Sequence, residues 1–207
     1  MKKSIIGFIV LSLFLSGCTV ASTPPVATSD TPVAVGKYPI SEDTKRAYEA
    51  WLGVKAELDK VQTVIAYNVG EYLENHADAI YLASMYEYDA ALQLVDAMPP
   101  IYDKTVSVIA SIEEQKDFPE VGQIKTLLSE MMRLEKLSAE HLKKNIQALK
   151  SGQSAVAQKN ETLYVKYYKE AMVKSRAMYD LNIETLLRGG KIEGQKLVEE
   201  NTPPVVK

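Results

Sequence analysis

The sequence predicts an all-α protein, an elongated antiparallel bundle of three to four long helices behind a signal peptide and a flexible tether. Apolar residues recur at spacings of three and four over most of 47–186, which is the period of amphipathic helices. No segment is clearly predicted as a β-strand. The interior is poor in helix breakers, because six of the nine prolines lie near the two ends: Pro24, Pro25, Pro32, Pro39, Pro203 and Pro204.

Residues 1–17 have the composition of a secretory signal peptide. Lys2 and Lys3 precede an apolar run over 5–15, whose 11 residues fall short of the roughly 20 that span a bilayer as a helix. The run leads to Leu15-Ser16-Gly17-Cys18, which resembles the lipobox of bacterial lipoproteins. The resemblance implies cleavage before Cys18 and acylation of that cysteine, with fatty acids such as palmitate. This covalent lipid is the only cofactor that we expect.

The same resemblance predicts where the protein resides. It implies export and attachment to a membrane through the lipid on Cys18. Thr19 follows the cysteine in place of the aspartate that typically retains such lipoproteins in an inner membrane. We therefore expect the outer membrane, facing the periplasm, in a Gram-negative host, and otherwise the outer face of the cell membrane.

Beyond the signal, composition divides the chain into three parts. Residues 18–40 are rich in Thr, Ser, Pro, Val and Ala and show no helical or strand period, which is typical of a tether. Residues 41–190 carry the helical period and form the predicted bundle domain. Residues 191–207 are predicted to be a loose C-terminal tail.

The first helical region begins at Ser41, a typical N-cap residue. A coiled-coil-like seam follows, in which Asn68 is the one polar position and sets the register, and Trp51 is an anchor in the core or between helices. Near 70–75 the seam slips by one residue, so either one long helix contains a stutter or two helices meet. Pro99-Pro100 is predicted to end this region. The seam before the slip is Ala47, Trp51, Val54, Leu58, Val61, Ile65, Asn68 and Tyr72, and after it Leu73, Ala77, Ile80, Ser84, Ala91, Leu94 and Met98.

Three more helices are predicted after the two prolines. A short one covers 101–116, and Asp117-Phe118-Pro119-Glu120 resembles a capping box that starts a strong helix running to about Leu149. Ser151-Gly152 stops that helix. The last helix spans roughly 154–188 and is capped by Gly189-Gly190.

Charge is unevenly distributed along the predicted bundle. Residues 41–100 have a net charge of −7, whereas residues 153–196 have a net charge of +3. One interpretation is that the first and last helices pack together with complementary rims. The other is a polarised surface that attracts a charged partner. Nucleic acid is excluded as a partner, because removal of Lys2 and Lys3 with the signal takes the net charge from −3 to −5.

The chain lacks the motifs of common catalytic and metal sites. It contains no G-x-S-x-G, Walker or dinucleotide motif and no H-E-x-x-H or C-x-x-C, so we expect neither an enzyme nor a metal site. His76 and His141 lack the Glu-x-x-His spacing of bundle di-iron sites. Both histidines are therefore predicted to lie at the surface or the rim.

Tyrosine is the unusual component of the composition, with 12 tyrosines against three phenylalanines. Because tyrosine is amphipathic and enriched at interfaces, we expect a partner surface on the bundle. The leading hypothesis is a non-enzymatic interaction or structural module that binds another envelope component, namely an envelope protein. The alternative is a small-molecule or metal-binding lipoprotein with its ligand between helices near Asn68 and His76. The candidate binding residues are Tyr81, Tyr86, Tyr88, Tyr164, Tyr167 and Tyr168.

Overall fold

A computed structural model describes residues 38–203, and these form an all-α bundle. Cys18 and the predicted signal and tether up to residue 37 lie outside the described residues. Between 38 and 203 there is no β-strand, only an isolated bridge between Gln115 and Phe118. The helices are α1 (Glu42–Thr63), a π-helical segment (Val64–Val69), α2 (Gly70–Ser84), α3 (Tyr88–Ala110), α4 (Glu120–Lys150) and α5 (Ser154–Asn201).

The helices α1 and α2 and the π segment between them form one continuous first rod. Ser41 caps its start as predicted, since its hydroxyl accepts a hydrogen bond from the Thr44 amide at 3.2 Å. The predicted slip over 70–75 is wrong, because the buried face continues in register through the π segment, which lies one turn earlier. Beyond it the buried side of α2 carries Tyr72, His76 and Ala79. The predicted face of Leu73, Ala77 and Ile80 is therefore displaced by one residue.

The first rod ends at 85–87, and the prediction that Pro99-Pro100 ends this region is wrong. Both prolines lie inside α3, on its exposed side. A helical proline deprives a carbonyl one turn earlier of its hydrogen bond, and on an exposed side water can replace it. A separate helix over 101–116 is also wrong, because α3 continues through 101 and stops at Ala110.

The loop over 111–119 is held by charged side chains rather than by the predicted capping box. Pro119 is the N-cap residue of α4, and no side chain caps the helix there. Instead, Lys125 Nζ donates to the carbonyl of Ile112 at 2.7 Å, and Glu57 Oε2 accepts from the amide of Glu113 at 2.8 Å. Although burial opposes ionisation, hydrogen bonds from Lys60 and from this amide lower the pKa of Glu57.

The helices α4 and α5 form a long hairpin around Ser151-Gly152, where α4 was predicted to stop. The last helix was predicted to end at Gly189-Gly190, but α5 continues without interruption to Asn201. The loose tail predicted over 191–207 is therefore wrong as far as Asn201. At 1.5 Å per residue, the 48 residues of α5 are about 72 Å long.

Neighbouring helices run antiparallel, as predicted. Ser138 and Asn145 of α4 reach the carbonyls of Tyr164 and Ala157 in α5 at 2.9 and 2.8 Å, so the two helices run in opposite directions. α1 pairs with the C-terminal half of α5, and α2, α3, α4 and the start of α5 form a four-helix section. The core runs along this stack from Trp51 to Leu142.

The first and last helices do pack together, but their charges do not match in the predicted way. Among residues 38–203, one ion pair crosses this contact, between Lys55 of α1 and Glu193 of α5 at 3.4 Å, with the basic residue on the first helix and the acidic residue on the last. The acidic excess of residues 41–100 and the basic excess of 153–196 are therefore not neutralised by packing α1 on α5.

Candidate functional site

Near residue 38 the chain enters the bundle beside the end of α5. The amide of Tyr38 donates to the carbonyl of Glu200 at 3.2 Å. Glu199 accepts from the Thr44 hydroxyl at 2.6 Å and from the Ser41 amide at 2.8 Å. These bonds lower the pKa of Glu199 to about 2. The start of the first rod and the end of α5 therefore form one hydrogen-bonded unit, which we call the entry end.

Trp51 fixes the separation of α1 and α5, as an interhelix anchor should. Its ring is buried against the backbone of Gly189, where an added Cβ would lie 2.1 Å from Cζ2. The indole Nε1 donates to Glu193 at 2.8 Å, and the ring packs on Phe118 with centroids 5.9 Å apart. Gly189 thus serves close helix packing, which is why it does not end α5.

At the opposite end of the first rod, the turn between α2 and α3 exposes aromatic and apolar side chains. Tyr86 is 78 % exposed, Tyr81 58 % and Met85 55 %. Tyr88 is half-buried, and the rings of Tyr86 and Tyr88 meet edge to face with centroids 6.2 Å apart. We call these four residues the distal tip. It contains the whole first group of tyrosines that the sequence indicated.

The backbone of the distal tip is strained at Tyr86. The amides of Tyr86 and Glu87 bond to the carbonyls of Ala83 and Leu82 at 3.1 and 3.0 Å, which is the Schellman pattern. The turn from α4 to α5 repeats this pattern with Gly152 in the left-handed position, at φ +68°. Tyr86 occupies the equivalent position at φ +65°, where a bulky residue is disfavoured.

The second group of tyrosines is turned into the bundle. Tyr164, Tyr167 and Tyr168 are half-buried; Tyr167 stacks on His141 with centroids 5.7 Å apart, and Tyr168 meets His76 edge to face at 5.6 Å. Burial raises the pKa of Tyr164, and burial with the nearby Glu135 raises that of Tyr168 to about 12. The structure does not bring this group together with the distal tip.

A buried polar cluster lies beneath that second group. The prediction of a surface His76 is wrong, because its side chain is 2 % exposed and Nδ1 lies 3.3 Å from Oε2 of Glu135, which is 1 % exposed. Nε2 of His76 and Oε1 of Glu135 have no protein partner. The Tyr72 hydroxyl donates to the backbone carbonyl of Glu135 at 3.0 Å, and burial raises the pKa of Tyr72.

Asn68 and His141, the other polar residues named in the sequence analysis, lie in ordinary structural positions. Asn68 is buried within the π segment, in the seam where it was predicted. His141 hydrogen-bonds Asn160 through Nδ1 at 3.0 Å, away from His76. Neither residue joins the pair of His76 and Glu135 in a set of ligands.

Two clefts open between the helices. One of about 500 Å³ lies between α2, α4 and α5 near the distal end and includes Asn145 and Tyr164. The other, of about 270 Å³, lies between α2, α3 and α4 and includes Tyr72, Tyr102 and Lys136. Tyr72 therefore connects the second cleft to the buried polar cluster.

Comparison with known proteins and a survey of the described residues add three findings. No family model, curated protein or solved structure matches this chain. Over residues 38–203, no group of three His, Cys, Asp or Glu side chains is placed to hold a metal ion. In the same range, none of the helices is both long and apolar enough to cross a membrane.

Sequence reasoning missed two parts of these sites. Glu135 was not singled out, since a lone glutamate in an amphipathic helix is ordinarily solvated. Its position among Met131, Met132, Leu134 and Ser138 in the buried set of α4 is visible only after the register is fixed. Met85 was also missed, because the rod was expected to continue past it.

Proposed function

We propose that this chain is a lipid-anchored, envelope-facing lipoprotein, acylated on Cys18, whose helical bundle binds another envelope protein without catalysing a reaction. The lipobox-like Leu15-Ser16-Gly17-Cys18 supports the anchor. In a Gram-negative host the proposed site is the outer membrane facing the periplasm, and otherwise the outer face of the cell membrane. Residues 18–40 would then tether the bundle to the lipid.

One observation carries the binding role: the exposed Tyr86 at the distal tip. Left-handed backbone costs a non-glycine residue roughly 1–2 kcal/mol, and the neighbouring turn avoids this cost with Gly152. Tyr86 gains no burial in return, because most of its side chain is exposed. An exposed aromatic residue at a strained position is what a binding tip requires.

The positions of the two ends of the first rod support the same assignment. The chain enters at Tyr38, beside Glu200, and the distal tip lies at the other end of the continuous helix that starts at Glu42. From Glu42 to Ser84 the rod spans about 63 Å at 1.5 Å per residue. An anchored protein of this form would present its tip well away from the lipid.

Crosslinking in cells tests the binding role. A photoreactive residue at Met85 of the full-length protein should capture an envelope protein, and Tyr86→Gly should abolish the capture. Tyr67→Ala is the matched control, because Tyr67 is equally exposed but lies on the π segment. Capture that survives Tyr86→Gly, or that Tyr67→Ala removes equally, would contradict the assignment to the tip.

The anchor has a separate test. Cys18→Ala removes the thiol that would carry the lipid, so we expect the protein to leave the membrane fraction. Its retention in that fraction after a high-salt wash would refute lipid anchoring through Cys18.

The second candidate function is binding of a small molecule or metal between the helices near Asn68 and His76. The unpartnered Nε2 of His76 and Oε1 of Glu135 favour it, since buried polar atoms normally have a partner. Thermal unfolding with divalent metals and small polar ligands tests it. A concentration-dependent rise in Tm that His76→Leu abolishes would support this function; no rise with any compound would reject it.

A further inference from the structure

The outward side of α2 carries a continuous acidic strip. Glu71, Glu74 and Asp78 follow one another at helical spacing, and Tyr81 and Met85 continue the same side toward the distal tip. All five side chains are exposed, and the three acids form no ion pair within residues 38–203. The sequence contains no lysine or arginine between Lys60 and Lys104 that could neutralise this strip.

The outward side of α5 carries a basic strip. Lys159, Lys166 and Lys169 are exposed, and Val173 follows them at helical spacing with 67 % of its surface exposed. Lys166 reaches Glu170 only at 4.0 Å, and no ion pair of Lys159 or Lys169 is found in the described part of the chain. These lysines are three of the eight basic residues of α5.

The two strips lie at the same height along the bundle. His76 of α2 meets Tyr168 of α5, and the two helices run in opposite directions. Counting away from this contact places Asp78 level with Lys166 and Glu74 within one residue of Lys169. The apolar residues of the strips also fall opposite charged residues: Met85 is level with Lys159. The charges thus match in position, although no ion pair joins the strips within one molecule.

We propose that the acidic strip of one copy docks on the basic strip of a second copy standing in the same orientation. In that arrangement α2 of one copy is antiparallel to α5 of the next, so the charged positions meet in register. Tyr81 and Met85 would pack on the aliphatic stems of the facing lysines. The common orientation rests on the proposed anchoring, since a lipid at one end of every copy aligns them in one membrane.

The size of this contact explains why it would form at a membrane. From Glu71 to Met85 the strip is about 21 Å long, so a single pair of helix faces buries less area than a stable complex in solution requires. Confinement to a surface raises the effective concentration of neighbouring copies. Because the two surfaces differ, each copy keeps one strip free, and the contact propagates into rows or closes into rings.

Disulfide crosslinking in cells tests the register directly. One full-length copy carries Asp78→Cys, a second, differently tagged copy carries Lys166→Cys, and both are expressed together under mild oxidation. Copies with only Cys18 give the background. The control pair is Asp103→Cys with Lys166→Cys: Asp103 is an exposed acid on α3 at a similar height, because Tyr102 meets Lys136 of α4.

The expected result is a mixed disulfide for Asp78→Cys with Lys166→Cys, and none above background for the control pair. A second experiment places the cysteines at Glu74 and Lys169 and reverses charges nearby. Asp78→Lys should lower the crosslink yield several-fold, and Lys166→Glu in the other copy should restore it.

Three results would overturn the proposal: no mixed disulfide, equal yield from the control pair, or no response to charge reversal. Any of these in membrane-resident protein refutes self-association and leaves the anchor standing. If the protein is absent from the membrane fraction, lipid anchoring is refuted. A mixed disulfide that still forms in this unanchored protein supports the pairing of the two strips. If both are lost, the anchor and the pairing fail together.

Discussion

The close packing of Trp51 on Gly189 predicts opposite effects for the same substitution at two adjacent glycines. Alanine is favoured over glycine inside a helix by about 1 kcal/mol. At Gly190 an added Cβ meets no atom within 4 Å, so Gly190→Ala should stabilise the protein by up to that amount. At Gly189 the Cβ would lie 2.1–2.3 Å from three atoms of the indole ring. Ordinary carbon contacts are about 3.5–4.0 Å, so ring and helix must separate by more than 1 Å.

The indole cannot yield easily, because Glu193 holds its Nε1 and Phe118 packs on its face. Overpacking of this kind costs about 1–3 kcal/mol, and the short contact places Gly189→Ala near the upper value. The two variants should therefore differ by about 3 kcal/mol, or roughly 6–12 °C in Tm for a chain of this size. Denaturant unfolding followed by circular dichroism and by fluorescence of Trp51, the only tryptophan, measures both. If Gly189→Ala is as stable as Gly190→Ala, the packing argument is refuted.

Three further predictions concern the tip, the entry end and the buried pair. Tyr86→Gly should raise the free energy of unfolding by about 1 kcal/mol, whereas Gly152→Ala should lower it by a similar amount, because both positions have left-handed backbone; denaturant midpoints that move the same way would contradict this. Glu199→Gln should lower Tm at about pH 7. Because folding lowers the pKa of the Glu199 carboxyl from about 4.5 to about 2, its stabilising effect is present above the unfolded pKa and is lost as the pH falls through this window. The Tm values of wild type and variant should therefore converge near pH 2. His76→Leu should lower the free energy of unfolding by about 3 kcal/mol or more, because it leaves Glu135 buried without its partner. Adding Glu135→Met should recover most of this loss. A double variant no more stable than the single one would show that the pair is not coupled.

Local signals in the sequence were sufficient where one residue decides the structure. Ser41 caps the first rod, and Gly152 takes the left-handed position of the turn into α5. Each of these outcomes depends on a few neighbouring backbone groups. The antiparallel bundle likewise followed from the helical period and the short connections.

Errors arose where packing overrides a local rule. Pro99-Pro100 and Gly189-Gly190 are helix breakers in isolation, yet both lie within helices that the tertiary contacts hold. Trp51 requires the missing Cβ of Gly189, a contact between residues far apart in the chain. The predicted slip did not occur, because the buried face continues from Tyr72 to His76, and this continuation places His76 in the core.

Of the two tyrosine groups, the sequence could not tell which one faces solvent. Both have the same composition, and the side that each presents depends on the helix register. The structure exposes Tyr81 and Tyr86 and turns Tyr164, Tyr167 and Tyr168 inward. The helix register therefore decides which tyrosine group is exposed, and the neighbouring helices set that register.

The continuity of the first rod has a mechanical consequence. A pull applied between residue 38 and the turn at Tyr86 would load the two ends of a single helical strut. Near the entry end, the hydrogen bonds of Glu199 and the indole of Trp51 would share that load with α5, in shear rather than by peeling. Between them and the tip, tension would run along the axis of the π segment, whose wider turns make it the natural place for the strut to stretch first.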